Sequence, residues 1–221
     1  MVPWRTLGSA TAPDGGTLVL QERAGELVIR AGGWVLMSSR AHGSEEALAE
    51  RVCTQIAGAR PRVLIGGLGL GYTLRAALDC LPAVASVTVA EVVPAVVDWN
   101  RGPVSGLAGR PLDDPRVTVA TADVGAVIAE APVASIDAVL LDVDNGPTAL
   151  PRPANAHLYE ATGLAAVRAA LRPGGVLGVW SAAPDDRFAA RLRRGGFTVE
   201  VEPVRARGRV GTRHVLFIAV R

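Results

Sequence analysis

The chain has 221 residues, of which 49% are hydrophobic and 20% are charged, and its formal net charge is +2. This length and apolar content allow a substantial core, as one larger domain or as one domain with a small appendage. All 23 basic residues are arginine. The absence of lysine excludes Schiff-base chemistry, a pyridoxal-phosphate lysine and a P-loop lysine.

Charge, cysteine content and hydropathy indicate the cellular compartment and exclude some classes of partner. Basic residues form no concentrated block, so nucleic acid is not expected as a partner. No apolar run reaches the ~18 residues of a membrane span, and the start lacks a long apolar signal region. Cys53 and Cys80 lack CxxC spacing and are expected to be free thiols in a reducing compartment. We therefore expect a cytoplasmic protein without a membrane partner.

The first forty residues have the pattern of a small β structure. Three β-rich runs, at 18–23, 26–30 and 34–37, are separated by the turn-forming pairs Ala24-Gly25 and Gly32-Gly33. This spacing predicts an antiparallel hairpin or meander, which we assign to a small N-terminal β domain over residues 1–40. The edges of this sheet need cover, from the main sheet or from a second subunit.

Residues 41–221 alternate between helix and strand. Ser44 is a candidate N-cap for a helix over 45–56. Five strands separated by helices follow, and they predict a doubly wound parallel sheet. The last two strands, at 197–204 and 214–220, are joined by a short connection and must pair antiparallel. The expected fold is therefore α/β, with a mostly parallel seven-stranded sheet of the class I methyltransferase type and an antiparallel C-terminal hairpin.

A glycine-rich loop follows the first strand of this domain. Gly67, Gly69 and Gly71 alternate with leucines between an apolar run and a helical segment. Glycines let a ligand approach the backbone, and the following helix offers free N–H groups. Tyr72 stands where a GxGxxG dinucleotide fingerprint needs a small residue. The loop is thus predicted to hold an S-adenosyl compound; the alternative is a turn that only joins strand to helix.

Carboxylates follow the next three strands. Glu91 is predicted to accept hydrogen bonds from both ribose hydroxyls. Asp123 is either a partner of the adenine amino group or the N-cap of the next helix. Asp142 and Asp144 lie at the carboxyl edge of a central strand, where ligands bind in open α/β sheets. We predict them as catalytic carboxylates, with Asp142 the general base; an Asx turn is the alternative for Asp144 and Asn145.

Several of these segments together resemble the spermidine synthase group of polyamine aminopropyltransferases, within the class I S-adenosylmethionine-dependent fold. The resemblance covers roughly residues 35–180 and implies a small N-terminal β domain and a homodimer. It rests on the glycine loop and on these further segments: 89–91, 114–117 with 122–123, 141–147, 155–159 and 170–175. By position it implies that Glu91 holds the ribose, that Asp123 holds the adenine and that Asp142 is the catalytic aspartate.

The resemblance also indicates which donor and which acceptor to expect. Family members commonly carry an acid in the glycine loop that contacts the donor's aminopropyl chain, whereas this loop offers leucines. The second acid of the family's Asp-x-x-Asp-Pro segment falls on Asn145. Glu45 and Asn145 are therefore predicted, with His42 and Tyr159, to contact a small acceptor such as an amine. Structural roles are the alternatives for His42 and Tyr159.

The predicted function is transfer of an alkyl group from S-adenosylmethionine or its decarboxylated form to a small nucleophile. The missing loop acid slightly favours methyl transfer. The alternatives are aminopropyl transfer to a polyamine and a nucleotide-binding relative without turnover; a nicotinamide-dependent oxidoreductase is less well supported because of Tyr72. The three histidines are far apart in sequence, and no HxH, HExxH or paired-cysteine spacing occurs, so no catalytic metal is expected.

Overall fold

The computed structural model describes residues 2–143, 146–147, 153–207 and 210–221. Two β-sheets and seven α-helices lie within these residues. The first sheet is antiparallel and contains β1 (Arg5–Thr11), β2 (Thr17–Arg23), β3 (Glu26–Ala31) and β4 (Trp34–Ser38), in that order. Ala24 and Gly25 join β2 to β3 with φ values of 48° and 76°, the left-handed geometry of a two-residue hairpin turn.

The second sheet has seven strands in the order β10-β11-β9-β8-β5-β6-β7. Strands β7, β6, β5, β8 and β9 run parallel, and β11 is antiparallel to β9 and β10. Its strands are β5 (Arg62–Gly66), β6 (Ser86–Ala90), β7 (Val117–Ala120), β8 (Ile136–Leu141), β9 (Leu171–Ser181), β10 (Thr198–Arg207) and β11 (Val210–Val220). The predicted fold class is thereby confirmed, including the antiparallel C-terminal pair.

Helices cover both faces of the larger sheet. Apolar residues of α1, α2 and α3 pack in one core cluster, and those of α4 to α7 pack in another. This two-sided burial explains why β5 and β8 contain continuous apolar runs, at 63–65 and 138–141. The helices are α1 (Gly43–Cys53), α2 (Tyr72–Cys80), α3 (Pro94–Arg101), α4 (Val124–Glu130), α5 (Pro153–Tyr159), α6 (Ala161–Ala170) and α7 (Asp186–Arg194).

The N-terminal sheet packs against the larger sheet's first core cluster. Leu18, Leu20 and Ile29 are buried there with residues of α1 and α3. A Cβ on Gly8 would lie 2.6 Å from Nε1 of Trp99, so β1 can approach α3 only because this residue has no side chain. The smaller sheet is therefore covered in part by its own chain, while Trp34 and Val35 of β4 are exposed. The division of the chain into domains at residues 1–40 and 41–221 stays a prediction.

Three local predictions differ from the structure. Strand β1 was not among the predicted runs, because its sequence RTLGSAT has few β-branched or aromatic residues. Helix α1 begins at Gly43 with His42 as N-cap, so the assignment of Ser44 as N-cap is wrong. The sequence pattern predicts one helix over about residues 158–171, but the structure has the end of α5 and the whole of α6 there, because the backbone at Glu160 is extended with ψ 169°. Among the described residues, no helix has the length and apolar character needed to cross a membrane.

Candidate active site

The loop between β5 and α2 is shaped by its glycines. Gly67 has φ +88°, and a Cβ on it would lie 2.4 Å from the Asp142 carbonyl oxygen, so the two chain segments touch through backbone. Gly69 has φ +51°, and its absent side chain leaves room for the Met37 thioether. The Asn100 amide, buried on α3, donates to the Gly69 carbonyl oxygen at 2.8 Å. These contacts hold the loop in a backbone conformation in which a side chain at Gly67 or Gly69 would collide with Asp142 or Met37.

Glu91 follows β6 directly and is buried. Its Oε2 accepts the Leu68 N–H of the glycine loop at 3.0 Å, and its Oε1 accepts the Val93 N–H at 2.9 Å. Burial raises the pKa of this carboxyl, and the backbone N–H groups partly offset the effect by stabilising the charged form. Since each carboxylate oxygen has a second lone pair, Glu91 can still accept hydrogen bonds from a ligand.

Asp123 has one of the two roles that the sequence left open, the N-cap, and the contact with adenine stays a prediction. Its Oδ1 accepts the Ala126 N–H at 3.0 Å, which makes it the N-cap of α4. The residue also lines the cleft described below, beside Glu91. Nε2 of His157 lies 3.8 Å from Asp123 Oδ1. One carboxylate oxygen therefore anchors the helix while the residue remains part of the cleft wall.

Asp142 follows β8 and is buried. Its Oδ2 accepts a hydrogen bond of 2.5 Å from the hydroxyl of Thr73, in the first turn of α2. Burial raises the pKa of Asp142 to about 6, against the lowering effect of the Thr73 hydroxyl. At neutral pH this carboxylate is ionised and close to its midpoint, which suits a group that takes up and releases a proton.

Glu45, on α1, shares a small chamber of about 10 Å³ with Asp142. Burial raises the pKa of Glu45 to about 7, and the negative charge of Asp142 contributes to that shift. Repulsion acts on whichever carboxyl ionises second, so Asp142 loses its proton first and Glu45 follows. The remaining chamber walls are Met37, Ser38, Leu68, Leu70, Tyr72 and Thr73. Two carboxyl groups in a largely apolar chamber form a site that favours a cation.

His42 lies beside this chamber and not in its wall. Its ring stacks on Tyr72 with centroids 3.9 Å apart, and its Nδ1 is 2.9 Å from Glu46 Oε1. The Tyr72 hydroxyl donates to the Ser39 carbonyl oxygen at 3.4 Å. Burial and the nearby Glu46 and Glu45 raise the pKa of Tyr72, in that order of importance.

A cleft of about 140 Å³ opens at the carboxyl ends of β5, β6 and β8. Both sheets form its walls. The larger sheet contributes the polar groups, and the N-terminal sheet contributes apolar side chains. The main lining residues are Leu18, Ile29, Leu36, Met37, Gly67, Gly69, Glu91, Val92, Val93, Asp123, Asp142 and Asn155. Met37 and Asp142 border both cleft and chamber, so the two spaces adjoin.

The structure therefore brings most predicted site residues to one place. Gly67, Gly69, Glu91, Asp123 and Asp142 line the cleft, and Glu45 lines the adjoining chamber.

Other predicted residues lie elsewhere. Gly71 is the N-cap of α2 outside the cleft lining, and buried Tyr159 points its hydroxyl at the Val143 carbonyl oxygen, 3.4 Å away. Asp144 and Asn145 lie outside the described residues.

Three contributions to the site were missed from the sequence. Thr73 was not singled out, although its place in the first turn after the glycine loop is a usable signal. Asn100 carries no local signal, because its partner Gly69 lies 31 residues earlier. The apolar wall from β2, β3 and β4 could not be foreseen, since alternating strands do not reveal which face will cover a cleft. In the described part of the chain, no group of three or more His, Cys, Asp or Glu side chains is placed to hold a metal ion.

The chain is similar in sequence to plant methyltransferases. Putrescine N-methyltransferase 4 of Nicotiana tabacum is 35% identical over 118 residues, which is 52% of this chain and 28% of that protein. Putrescine N-methyltransferase 1 of Nicotiana attenuata is 35% identical over the same length and is likewise covered over 28%. The chain therefore spans less than a third of these relatives. No family model matches the chain.

The fold is shared with spermidine synthases. A spermidine synthase in complex with the transition-state analogue AdoDATO has a TM-score of 0.76 at 18% identity, covering 98% of this chain and 72% of that one. Spermidine synthase from Thermotoga maritima has a TM-score of 0.75 at 19% identity, again covering 98% and 72%. At these identities the likeness establishes the fold. The resemblance to spermidine synthases predicted from the sequence is thereby confirmed at the level of the fold.

Proposed function

We propose that the chain is a transferase that binds an S-adenosyl sulfonium and moves an alkyl group from it to a small amine. The observation that carries this proposal is the position of Asp142. Its buried carboxylate borders both the glycine-loop cleft and the chamber that contains Glu45. A donor in the cleft and an amine in the chamber would then meet at the group suited to remove a proton.

The cleft fits an S-adenosyl donor on three counts. Gly67 and Gly69 expose backbone where any Cβ would collide with Asp142 or Met37. Glu91 retains lone pairs for a pair of ribose hydroxyls, and Asp123 lines the same wall for the adenine amino group. Apolar side chains supply the faces between which a purine packs. When bound, the donor supplies an electrophilic carbon and a neutral thioether leaving group.

The chamber has room for about one ammonium group, so only the reacting end of the acceptor is placed there. Glu45 and Asp142 together place negative charge where an ammonium group would sit, and Leu68, Leu70 and Met37 form the apolar part of the wall. Asp142 then accepts a proton from the ammonium nitrogen, which frees the lone pair for in-line attack. Positioning and desolvation supply the rest of the rate enhancement.

Methyl transfer is the reaction that we favour within this class. In the described structure, Met37 fills the space over Gly69, and the glycine loop presents no carboxylate to an aminopropyl ammonium. The similarity to enzymes named putrescine N-methyltransferases supports the same choice, with a diamine such as putrescine as the acceptor. Aminopropyl transfer from the decarboxylated donor is the second candidate, supported by the overlay that covers 72% of two spermidine synthase chains. A homodimer is part of the proposal.

Calorimetric titration tests the donor, and mass spectrometry of products tests the reaction. We expect binding of S-adenosylmethionine in preference to its decarboxylated form, to methylthioadenosine and to NAD, and N-methylation of putrescine. Asp142→Asn should lower kcat/KM by about a hundredfold or more while leaving the donor Kd within a few fold. Asp79→Asn, at an exposed aspartate paired with Arg75, is the matched control.

Two contrary results would overturn different parts of the proposal. Binding of NAD alone would refute the donor assignment. Donor binding without turnover on any amine would identify a nucleotide-binding relative instead, and Asp142→Asn would then change nothing measurable.

A further inference from the structure

A row of three hydrogen-bonded side chains leads away from the chamber. The Ser44 Oγ lies 2.5 Å from Glu45 Oε2 and 2.8 Å from His214 Nδ1. Ser44 is 0% exposed, whereas the His214 ring is only half-buried and contacts the edge of Trp180. The row therefore joins one of the chamber carboxyl groups to a titratable ring that solvent can reach.

The proposed reaction requires such a connection. A diamine enters as an ammonium ion, which must lose one proton before its nitrogen can attack. The new C–N bond forms as the C–S bond breaks, the electron pair goes to sulfur, and the product nitrogen again carries a positive charge. One proton therefore leaves the chamber in every turnover, whichever alkyl group is moved. Met37, Leu68 and Leu70 form the apolar part of the chamber wall, and Glu45 is the chamber carboxyl that the row contacts.

We propose that Ser44 and His214 carry this proton from Glu45 to solvent, an inference that rests on the transferase function proposed above. The proton passes from the ammonium through Asp142 or directly to Glu45. The protonated Glu45 donates to the Ser44 Oγ, whose own hydrogen moves to Nδ1 of His214. The imidazolium then releases a proton from Nε2 to solvent, which leaves the ring as the Nδ1–H tautomer. Rotation of the ring and exchange of its proton with solvent restore the Nε2–H tautomer, and rotation of the Ser44 hydroxyl completes the reset. No bond other than O–H and N–H is made or broken.

The geometry of Ser44 argues against a purely local role. A serine that capped α1 would accept a hydrogen bond from an N–H of its own helix, and no side-chain cap bond is present at this end. Its hydroxyl instead bridges two groups that both titrate. Burial lowers the pKa of His214, so the ring is neutral near pH 7 and can receive a proton. A hydroxyl between an acid and a neutral imidazole is the arrangement that a proton relay needs.

The charges around His214 come from three neighbouring elements. Trp180 and Ser181, on β9 beside it, are uncharged. Glu46 and Glu50 on α1 and Arg205 on β10 line a surface pocket together with Val204, the strand partner of His214. Arg213 on β11 precedes the ring, and Glu202 on β10 is paired with Arg51. Glu45 is the titrating group that a hydrogen-bonded side chain, Ser44, connects to the imidazole.

The first test follows the imidazole signals of the protein without donor by NMR as pH is varied. His214 should titrate in two steps, one its own and one near pH 7 that reports ionisation of Glu45. Glu45→Gln and Ser44→Ala should each remove the second step. Ser135→Ala, where the hydroxyl only donates to the Pro132 carbonyl oxygen, should keep it. A single-step titration of His214 in the wild-type protein overturns the relay.

The second test measures turnover. Ser44→Ala and His214→Gln should lower kcat by about tenfold near neutral pH, with the acceptor KM and the donor Kd within about twofold of wild type. Rising imidazole concentration should restore kcat in His214→Ala. Equal rates in wild type and all variants would refute the relay and leave the transferase proposal standing. If the wild type transfers nothing, the transferase proposal fails, and the NMR titration alone decides the coupling.

Discussion

The hydroxyl of Thr73 sets the pH at which Asp142 becomes a base. It donates to Asp142 Oδ2 at 2.5 Å and lowers the pKa of that carboxyl, which burial has raised to about 6. Thr73→Val keeps a β-branched side chain and removes this donor. A hydrogen bond to a charged group contributes about 1.5–3 kcal/mol, so the pKa of Asp142 should rise by about one to two, to between about 7 and 8.

The expected change in rate follows from the ionised fraction. At about pH 6.5, roughly three quarters of Asp142 is ionised in the wild type, but between about one quarter and one thirtieth in the variant. The acid limb of kcat/KM should therefore move to higher pH, and the two enzymes should converge at about pH 9. The donor Kd should stay unchanged, because Thr73 does not line the donor cleft.

A matched variant separates this effect from a general change in packing. Thr118→Val makes the same substitution at an exposed position of β7 and should leave the pH profile where it is. If Thr73→Val lowers kcat/KM equally at every pH, Asp142 is not the titrating base and the mechanism is wrong.

Three further predictions concern the loop, the fold and the chamber. Gly69→Ala places a Cβ 2.2 Å from the Met37 sulfur at a φ of +51°, so it should weaken donor binding and lower Tm more than Gly15→Ala, which has a positive φ but open space. If the two variants lose the same donor affinity and the same Tm, the Met37 contact is not the cause. Asp137→Asn weakens buried hydrogen bonds to the Arg62 N–H and the Arg172 guanidinium, and should cost about 1–3 kcal/mol in urea denaturation without moving the pH–rate profile. Because the folded pKa of Glu45 is raised from 4.5 to about 7, its contribution to stability is greatest below the unfolded value and falls as pH rises through that interval, by up to about 3 kcal/mol. Glu45→Gln should remove this slope, and an unchanged slope would refute the burial of that carboxyl.

Local sequence patterns predicted the larger sheet because each of its elements has a period that can be read within ten residues. The glycine loop and the acids after β6, β7 and β8 followed from the same alternation, since parallel strands bring their carboxyl ends to one edge. These are properties of short segments and of a common topology.

The remainder depends on contacts between distant segments. Ser44 has the local signature of a cap, yet its hydroxyl bonds to His214, 170 residues later. Gly8 interrupts the strand pattern in the sequence of β1. The reason for a glycine there is Trp99, which packs against it and leaves no room for a side chain. The meeting of Glu45 with Asp142 depends on how α1 is rotated on the sheet, and no single segment encodes that rotation.

The two kinds of cleft wall come from different sheets. The shape of the cavity and the groups that handle protons can therefore change independently. The charged groups Glu91, Asp123 and Asp142 come from the larger sheet, whereas Leu18, Ile29 and Met37 come from the N-terminal sheet. A substitution in the first forty residues can reshape the cavity while the proton-handling groups stay in place. Proteins with this fold could therefore evolve to use other donors and acceptors by substitutions in the smaller sheet. The catalytic carboxylates would be retained at every step.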